Sequence, residues 1–339
     1  MEEEKARPAP TAASNQEAPV LLPELITEIL VRLPAKSVGR FRCVSRAWCA
    51  MLSTAYFVDL HLRCANRPDH PRLLLTAVGS DYDGHLHSWR PGGAVEKLMP
   101  DNFSDGDGVI VPVTKPCRGL ILVRVAGYCG YFVCNPSRGD VLALPDTEAP
   151  MKMTQRTKLL EPHPPPFFFD VSYGLGYGTV RKEFKVVRLF CDPEIETGLA
   201  IATNCEVFVL DRPAYWRPTA EQPPLRWVVE NKPAVFFNGY LHFLCHDGSI
   251  VTFRISDETF GLLPPPSCFE NAASVMTELD GCLCLCYGEL DSKDLYHLSV
   301  LRDYNEARWE TLCSIDRTTW PETECMLLDS LWMAPLGIY

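Results

Sequence analysis

Three groups of closely spaced cysteine or histidine side chains could bind a metal ion, and the pair at His85 and His87 is set aside first because it sits in a Gly- and Asp-rich turn region. Cys282, Cys284 and Cys286 alternate with two leucines, so on a β-strand the three thiols point to one face. Thiolates bind zinc, but a tetrahedral site needs a fourth ligand, and the sequence assigns none. Because free cysteine is usually buried as a small apolar residue, we predict that these side chains lie in a core.

The second group, His242, Cys245 and His246, has an unfavourable spacing, because Cys245 on a strand would point away from both histidines. The usual catalytic motifs are also missing from the sequence: there is no nucleophile elbow, Walker loop or zinc-protease helix motif. Residues 174–178 are glycine-rich, but a strand-like segment follows them instead of a helix, so we predict a turn and not a phosphate-binding loop. The sequence therefore predicts no catalytic, cofactor or metal site.

Charge and composition restrict the partners and the compartment. Of 339 residues, 32 are Lys or Arg and 43 are Asp or Glu, which gives a formal net charge of −11. This balance predicts no nucleic-acid partner, and the absence of a long apolar run predicts no membrane span. The first 19 residues are acidic and rich in Pro and Ala, which predicts a disordered tail and not a secretory signal. The 15 cysteines include no C-x-x-C pair and fit reduced thiols in the nucleus or cytoplasm.

A helical pattern runs through residues 20–60. Its first helix has apolar residues three or four positions apart, which form one stripe: Leu22, Leu25, Ile26, Ile29, Leu30 and Leu33. Pro23 fits the first turn, and Pro34 ends the segment, because the residue before a proline avoids the α-helical conformation. A second helix is predicted from Ser37 and a third around Trp48, with Ser45 as its N-cap.

Three short helices cannot bury this many large apolar side chains among themselves. The surplus therefore packs against the rest of the chain or against another protein. Residues 20–60 hold five basic and three acidic side chains, a net charge of +2, whereas the chain as a whole is acidic. A basic and apolar surface suits an acidic partner with an apolar groove, although surface arginines also serve simply as a solvated face.

From about residue 70 the pattern changes to short apolar runs separated by Gly, Pro, Asn and Asp, which indicates an all-β region. A glycine precedes an apolar strand at Gly119, Gly239 and Gly281, and the last two are 42 residues apart. A propeller blade has about 40–50 residues, so the region would hold roughly six. We predict an irregular β-propeller-like domain, either incomplete or closed by a strand near residues 73–78. A β-sandwich or another two-sheet arrangement is the alternative.

Residues 21–57, LLPELITEILVRLPAKSVGRFRCVSRAWCAMLSTAYF, resemble an F-box. The matching features are a Leu-Pro start, a second Leu-Pro at 33–34, a basic and apolar stretch, Val-Ser-Arg-x-Trp at 44–48, and a closing Phe57. Gly39 departs from the family, which often has Ala there, and costs its helix up to ~1 kcal/mol. The resemblance otherwise extends through the whole segment.

An F-box implies docking on a Skp-type adaptor, which joins the chain to a cullin, while the remaining domain captures the client protein to be ubiquitinated. The resemblance thus implies a non-catalytic substrate-recognition subunit of a Skp–cullin–F-box ubiquitin ligase. In physical terms the contact would be a helix face in a groove. Transferred by position, the adaptor-binding residues are Leu22, Pro23, Ile29, Leu30, Leu33, Pro34, Val44 and Trp48.

The β region resembles the F-box-associated domain of plant F-box proteins, particularly those of grasses. Matching segments include YFVCNPSRGDVLALP at 131–145, YGLGYGTVRKEFKVVRLF at 173–190 and VLRDYNEARWETLCSID at 300–316. We therefore expect a tail at 1–19, an F-box at 20–60 and a substrate-binding propeller-like domain at 61–339. Two other functions stay open. One is a propeller enzyme of the glycosidase or oxidase type, with clustered acids or metal ligands at its mouth, and the other is an F-box scaffold acting outside the ligase.

Overall fold

The chain forms two compact units, residues 1–64 and 65–339, in the computed structural model. The structure describes residues 22–65, 73–76, 86–89, 92–98, 110–125, 131–136, 138–145, 171–193, 200–210, 215–229, 232–267, 269, 274–279, 281–289, 292–316 and 318. The tail predicted at 1–19 lies outside these residues. No helix in the described part has the length and apolar content needed to cross a membrane.

The described part of the first unit, from residue 22 onward, contains four helices, one more than the sequence pattern predicted. They are α1 (Pro23–Leu30), α2 (Ala35–Phe41), α3 (Arg46–Leu52) and α4 (Ala55–Ala65). The fourth helix forms because Phe57 and His61, one turn apart, both point into the interior of the unit. It continues through residue 60, where we expected the F-box to end, and the compact unit extends to Cys64.

The core of the helical unit collects one or two side chains from each helix. Its buried members are Leu30, Val31, Val38, Leu52 and Phe57. The ring of His61 lies 6.0 Å from that of Phe57, centroid to centroid, and its Nε2 lies 2.9 Å from the carbonyl oxygen of Leu33. Helix α4 is thereby held against the end of α1 by both apolar and polar contacts.

The described part of the second unit contains nineteen strands in five antiparallel sheets, each made of consecutive strands. The first sheet comprises β1 (Leu73–Thr76), β2 (Leu86–Trp89) and β3 (Glu96–Lys97). The second comprises β4 (Ile110–Pro112), β5 (Ile121–Val125), β6 (Tyr131–Asn135) and β7 (Asp140–Ala143). The third comprises β8 (Val171–Gly178), β9 (Glu183–Pro193), β10 (Ala200–Val209) and β11 (Arg217–Pro218).

The fourth sheet comprises β12 (Val235–Phe237), β13 (Tyr240–Leu244), β14 (Ile250–Arg254) and β15 (Phe260–Leu263). The fifth comprises β16 (Ser274–Leu279), β17 (Cys282–Glu289), β18 (Ser292–Asp303) and β19 (Arg308–Asp316). Four-stranded meanders that follow one another along the chain are the blades of a propeller. The predicted small helical unit followed by a propeller-like β domain is therefore confirmed.

Each sheet shares an apolar core with the next sheet along the chain. Between the third and fourth sheets, for example, Val187 and Val207 pack with Leu241, Phe243 and Phe253. Similar cores join the first sheet to the second, the second to the third, and the fourth to the fifth. Blades that bury both faces against their neighbours have this arrangement, because apolar surface on each face leaves the water.

The glycine-rich residues 174–178 belong to strand β8, so the predicted turn was wrong. The strand is glycine-rich because the fourth sheet approaches it closely. A Cβ atom at Gly174 would lie 2.9 Å from both terminal carbons of Leu241, and one at Gly176 would lie 2.7 Å from Cδ1 of Ile255. The sequence shows the glycines, but only the packing of two sheets explains them.

Candidate functional site

The first helix of the chain exposes one apolar stripe and buries another. Leu22, Leu25 and Ile29 are 63%, 49% and 52% exposed, and their spacing places them on one face of α1. The adjacent face carries Ile26, which is partly buried, and Leu30, which is 3% exposed in the core. The sequence pattern that we interpreted as one stripe therefore contains an inner face that stabilises the unit and an outer face that water contacts.

A fourth exposed apolar side chain lies between α2 and α3. Val44 is 63% exposed. The basic residues Lys36, Arg40 and Arg46 are exposed as well, and none of them has an ion pair within the described residues. The helical unit thus combines exposed apolar side chains with exposed, unpaired positive charge, which is the combination that suits an acidic partner.

The other predicted contact residues lie deeper or define the ends of helices. Leu33 and Trp48 are partly buried, and the ring of Trp48 lies 5.5 Å from that of Phe41, centroid to centroid. Pro23 occupies the first turn of α1, and the exposed Pro34 is the N-cap of α2. The structure therefore brings the eight predicted residues into one small unit, where some form its surface and others hold that surface in shape.

The predicted cap of the third helix is confirmed. The backbone N–H of Trp48 donates to the hydroxyl of Ser45 over 3.1 Å, which satisfies one of the free donors of the first turn. This bond fixes the start of α3 next to Val44, the exposed residue before the cap. The adaptor-binding residues inferred from the F-box resemblance did not include Leu25, which is also exposed. Its spacing of three residues from Leu22 already indicated that both lie on one helix face.

The cysteine group on β17 lies in and beside a core. Cys284 is buried, while Cys282 and Cys286 are partly buried. Burial raises the pKa of the Cys284 and Cys286 thiols, which disfavours the thiolate form that binds metals. Among the described residues, no three His, Cys, Asp or Glu side chains stand close enough to hold a metal ion together.

The histidine group separates into two unrelated environments. His242 is buried on β13, where its Nδ1–H donates to the carbonyl oxygen of Val235 over 3.0 Å, and Nε2 lies 2.9 Å from the hydroxyl of Tyr304. His246 follows the strand and contacts the ring of Trp227, with centroids 6.0 Å apart. Burial lowers the pKa of His242 to about 4, although the hydrogen bond to Val235 acts in the opposite direction.

We expect the protein to lose stability as the pH falls from about 6.5 towards 4 because of His242. Its folded-state pKa of about 4 is below the unfolded value of about 6.5, so the unfolded chain binds more protons in this window. The loss at pH 5 should be about 2 kcal/mol. Urea unfolding of the full chain at pH 7 and pH 5 measures it, with His242→Gln as the comparison. If both proteins lose the same free energy between the two pH values, His242 is not the group responsible.

Comparisons with known proteins cover both units. The F-box domain matches residues 21–59, and the F-box-associated beta propeller domain matches residues 96–328. A putative F-box protein of Arabidopsis thaliana is 25% identical over 308 residues, covering 86% of this chain and 72% of that protein. An F-box/kelch-repeat protein of the same plant is 25% identical over 319 residues, covering 87% of this chain and 79% of that protein.

Among solved structures, the Aleuria aurantia lectin is 11% identical with a TM-score of 0.38, covering 74% of this chain and 80% of the lectin. The family assignment comes from the sequence matches, because the propeller domain match alone spans more than half of the chain. The match of residues 21–59 in turn coincides with the helices that carry the exposed apolar face. The chain therefore belongs to the F-box-associated β-propeller family and carries an F-box ahead of its propeller domain.

Proposed function

We propose that this protein is the substrate-recognition subunit of a Skp–cullin–F-box ubiquitin ligase and works in the nucleus or cytoplasm. The helical unit docks on a Skp-type adaptor, and the propeller-like unit holds a client protein. The observation that carries this proposal is the exposed apolar stripe of α1, within a segment that matches the F-box domain. The plant relatives, which are F-box proteins, support the same role. A grass origin of this domain type stays a prediction.

The contact with the adaptor is proposed to centre on Leu22, Leu25, Ile29 and Val44. Each of these side chains would contribute roughly 1.5–3 kcal/mol if the adaptor buried it fully, before the entropy cost of association. Exposed Pro23 and Pro34 border the same surface. Leu30, Leu33 and Trp48 act mainly from beneath, because their burial holds the helices that present the contact face.

In this proposal the protein itself forms or breaks no covalent bond. It holds a client near a charged ubiquitin-conjugating enzyme and thereby raises the effective concentration of the client. The two-unit structure suits this role, since one unit offers an apolar docking face and the other is a scaffold of blades with loops at each end.

Binding to a purified plant Skp-type adaptor tests the docking face. We expect Leu22→Asp with Ile29→Asp to weaken adaptor binding at least ~100-fold, because two apolar anchors become charged. Isothermal titration calorimetry with the full chain measures the affinity, and circular dichroism checks that both units stay folded. Leu312→Asp is the matched control, since Leu312 is 50% exposed, close to Ile29 at 52%, and lies on β19 of the other unit.

Adaptor binding that survives the double substitution would reject the docking face. Recruitment of the cullin separates the ligase role from the scaffold role. The wild-type chain with its adaptor should retain a purified cullin on gel filtration. A stable complex with the adaptor that never retains the cullin would favour an F-box scaffold outside the ligase.

A further inference from the structure

The hairpin that joins β8 to β9 ends in an exposed and basic tip. Its turn spans residues 179–182, where Val180 is 80% exposed and Arg181 and Lys182 are exposed as well. Neither basic side chain has an ion pair or hydrogen bond with another side chain in the part of the chain that the structure describes. Lys182 has a φ of +54°, a left-handed conformation that is uncommon for residues other than Gly and Asn.

A second turn places another cation beside this hairpin. Arg118 lies between β4 and β5 with a φ of +47°, and its guanidinium carbon lies 4.4 Å from the ring centroid of Tyr177. Tyr177 lies near the end of β8 and packs on Phe184, with ring centroids 4.8 Å apart. Arg118 of the second sheet therefore lies against a ring at the turn end of this hairpin of the third sheet, two residues before the tip.

The carboxylates next to this surface are already engaged by other cations. Glu183, which follows the turn, lies 3.3 Å from Nζ of Lys185. Glu258 lies 2.8 Å from the same Nζ and also forms a bidentate pair with Arg217. These two acids and two bases form a largely buried network that is neutral as a whole. This network therefore has no spare negative charge to balance Arg181 and Lys182 on the tip.

We propose that this hairpin surface, made of Arg118, Tyr177, Val180, Arg181 and Lys182, binds a short acidic peptide segment that also contains apolar side chains. Glutamate or aspartate would pair with Arg181 and Lys182, while a leucine or phenylalanine would contact Val180 and Tyr177. A nucleic acid suits the surface less well, because two exposed cations neutralise only a few phosphates of a long polyanion, whereas the exposed Val180 offers an apolar contact that a phosphate backbone does not use. The inference rests on the proposed function only in identifying this peptide as part of the client.

Fluorescence anisotropy of the full chain with a labelled synthetic peptide tests the surface. The probe is rich in glutamate with interspersed leucine and phenylalanine, and a second peptide carries glutamine in place of every glutamate. We expect Arg181→Gln with Lys182→Asn to weaken binding of the acidic probe by about tenfold, with a smaller effect at high salt. Asparagine at 182 removes the charge but tolerates the left-handed conformation.

Arg308→Gln is the matched control, because Arg308 is an exposed arginine beside another left-handed turn residue, Ala307, at the hairpin of β18 and β19. It should change the affinity less than twofold. The proposal is overturned if the wild type does not prefer the acidic probe, if control and double variant weaken binding equally, or if a single-stranded thymidine oligonucleotide binds more tightly. Adaptor affinity, measured on the same proteins, should stay unchanged, so failure here is distinguishable from failure of the docking face.

Discussion

Replacing Gly176 with alanine is expected to destabilise the propeller-like unit by about 1–3 kcal/mol, and valine should cost more. The added Cβ would lie 2.7 Å from Cδ1 of Ile255 and 3.0 Å from a ring carbon of Phe236. Both neighbours are part of a packed interface between the third and fourth sheets, so either the side chains or the strands must shift. Urea unfolding of the full chain, followed by the fluorescence of its tryptophans, measures the loss.

A second-site change tests the cause of this loss. Ile255→Val removes Cδ1, the atom nearest to the new methyl group, so Gly176→Ala should cost less in that background. Gly39→Ala makes the same chemical change where no atom lies within 4 Å, and it should not destabilise the protein. If the cost of Gly176→Ala is unaltered by Ile255→Val, contact with Cδ1 of Ile255 is not its origin, and the closest remaining atom is Cγ1 of the same residue at 2.9 Å.

Glu258→Gln is expected to cost about 2–3 kcal/mol, because it leaves Lys185 with a buried charge and one fewer negatively charged partner. Lys185 is 1% exposed on β9, and its Nζ contacts the carboxylates of Glu258 and Glu183 and the carbonyl oxygen of Ile255. Burial alone would raise the pKa of Glu258, but Arg217 and Lys185 together lower it to about 2. The charged carboxylate is therefore the form that the folded protein stabilises.

Chemical denaturation at neutral pH measures this cost, and Glu310→Gln serves as the control. Glu310 pairs with Arg302 over 2.6 Å, but both side chains are exposed, so its loss should cost less than ~1 kcal/mol. The Glu258 contribution is present above its unfolded pKa of about 4.5 and is lost as the pH falls towards 2. Equal costs for the two glutamine variants would contradict the buried network as a source of stability.

These two predictions concern the same junction of the third and fourth sheets, next to the hairpin proposed to bind an acidic peptide. The Lys185 and Glu258 pair ties β9 to the turn between β14 and β15. A rigid junction holds the neighbouring turn of residues 179–182 in a fixed place, which lowers the entropy cost of binding there. The stabilising network and the proposed peptide-binding turn would therefore lie at the same end of the third sheet.

In the helical unit, the local sequence pattern correctly predicts three of the four helices. The spacing of Leu22 to Leu33, the prolines at 23 and 34 and the Ser45 cap are short-range signals, and the structure places helices where they indicate. Helix α4 was missed because its apolar residues look like the end of the preceding segment. The burial of Phe57 and His61 inside the unit explains why these residues form a separate fourth helix.

Local patterns along the chain predict the class of each unit and the alternation of strands and turns, because these depend on neighbours within a few residues, and the resemblance of residues 21–57 predicts the F-box. Three features become visible once the chain is folded: Leu25 is exposed while Leu30 is buried, the glycines of β8 lie against another sheet, and Lys185 has a partner 73 residues away. Burial, close approach and charge pairing depend on contacts between segments that are distant in the sequence. The order of residues along one strand or helix does not specify those contacts.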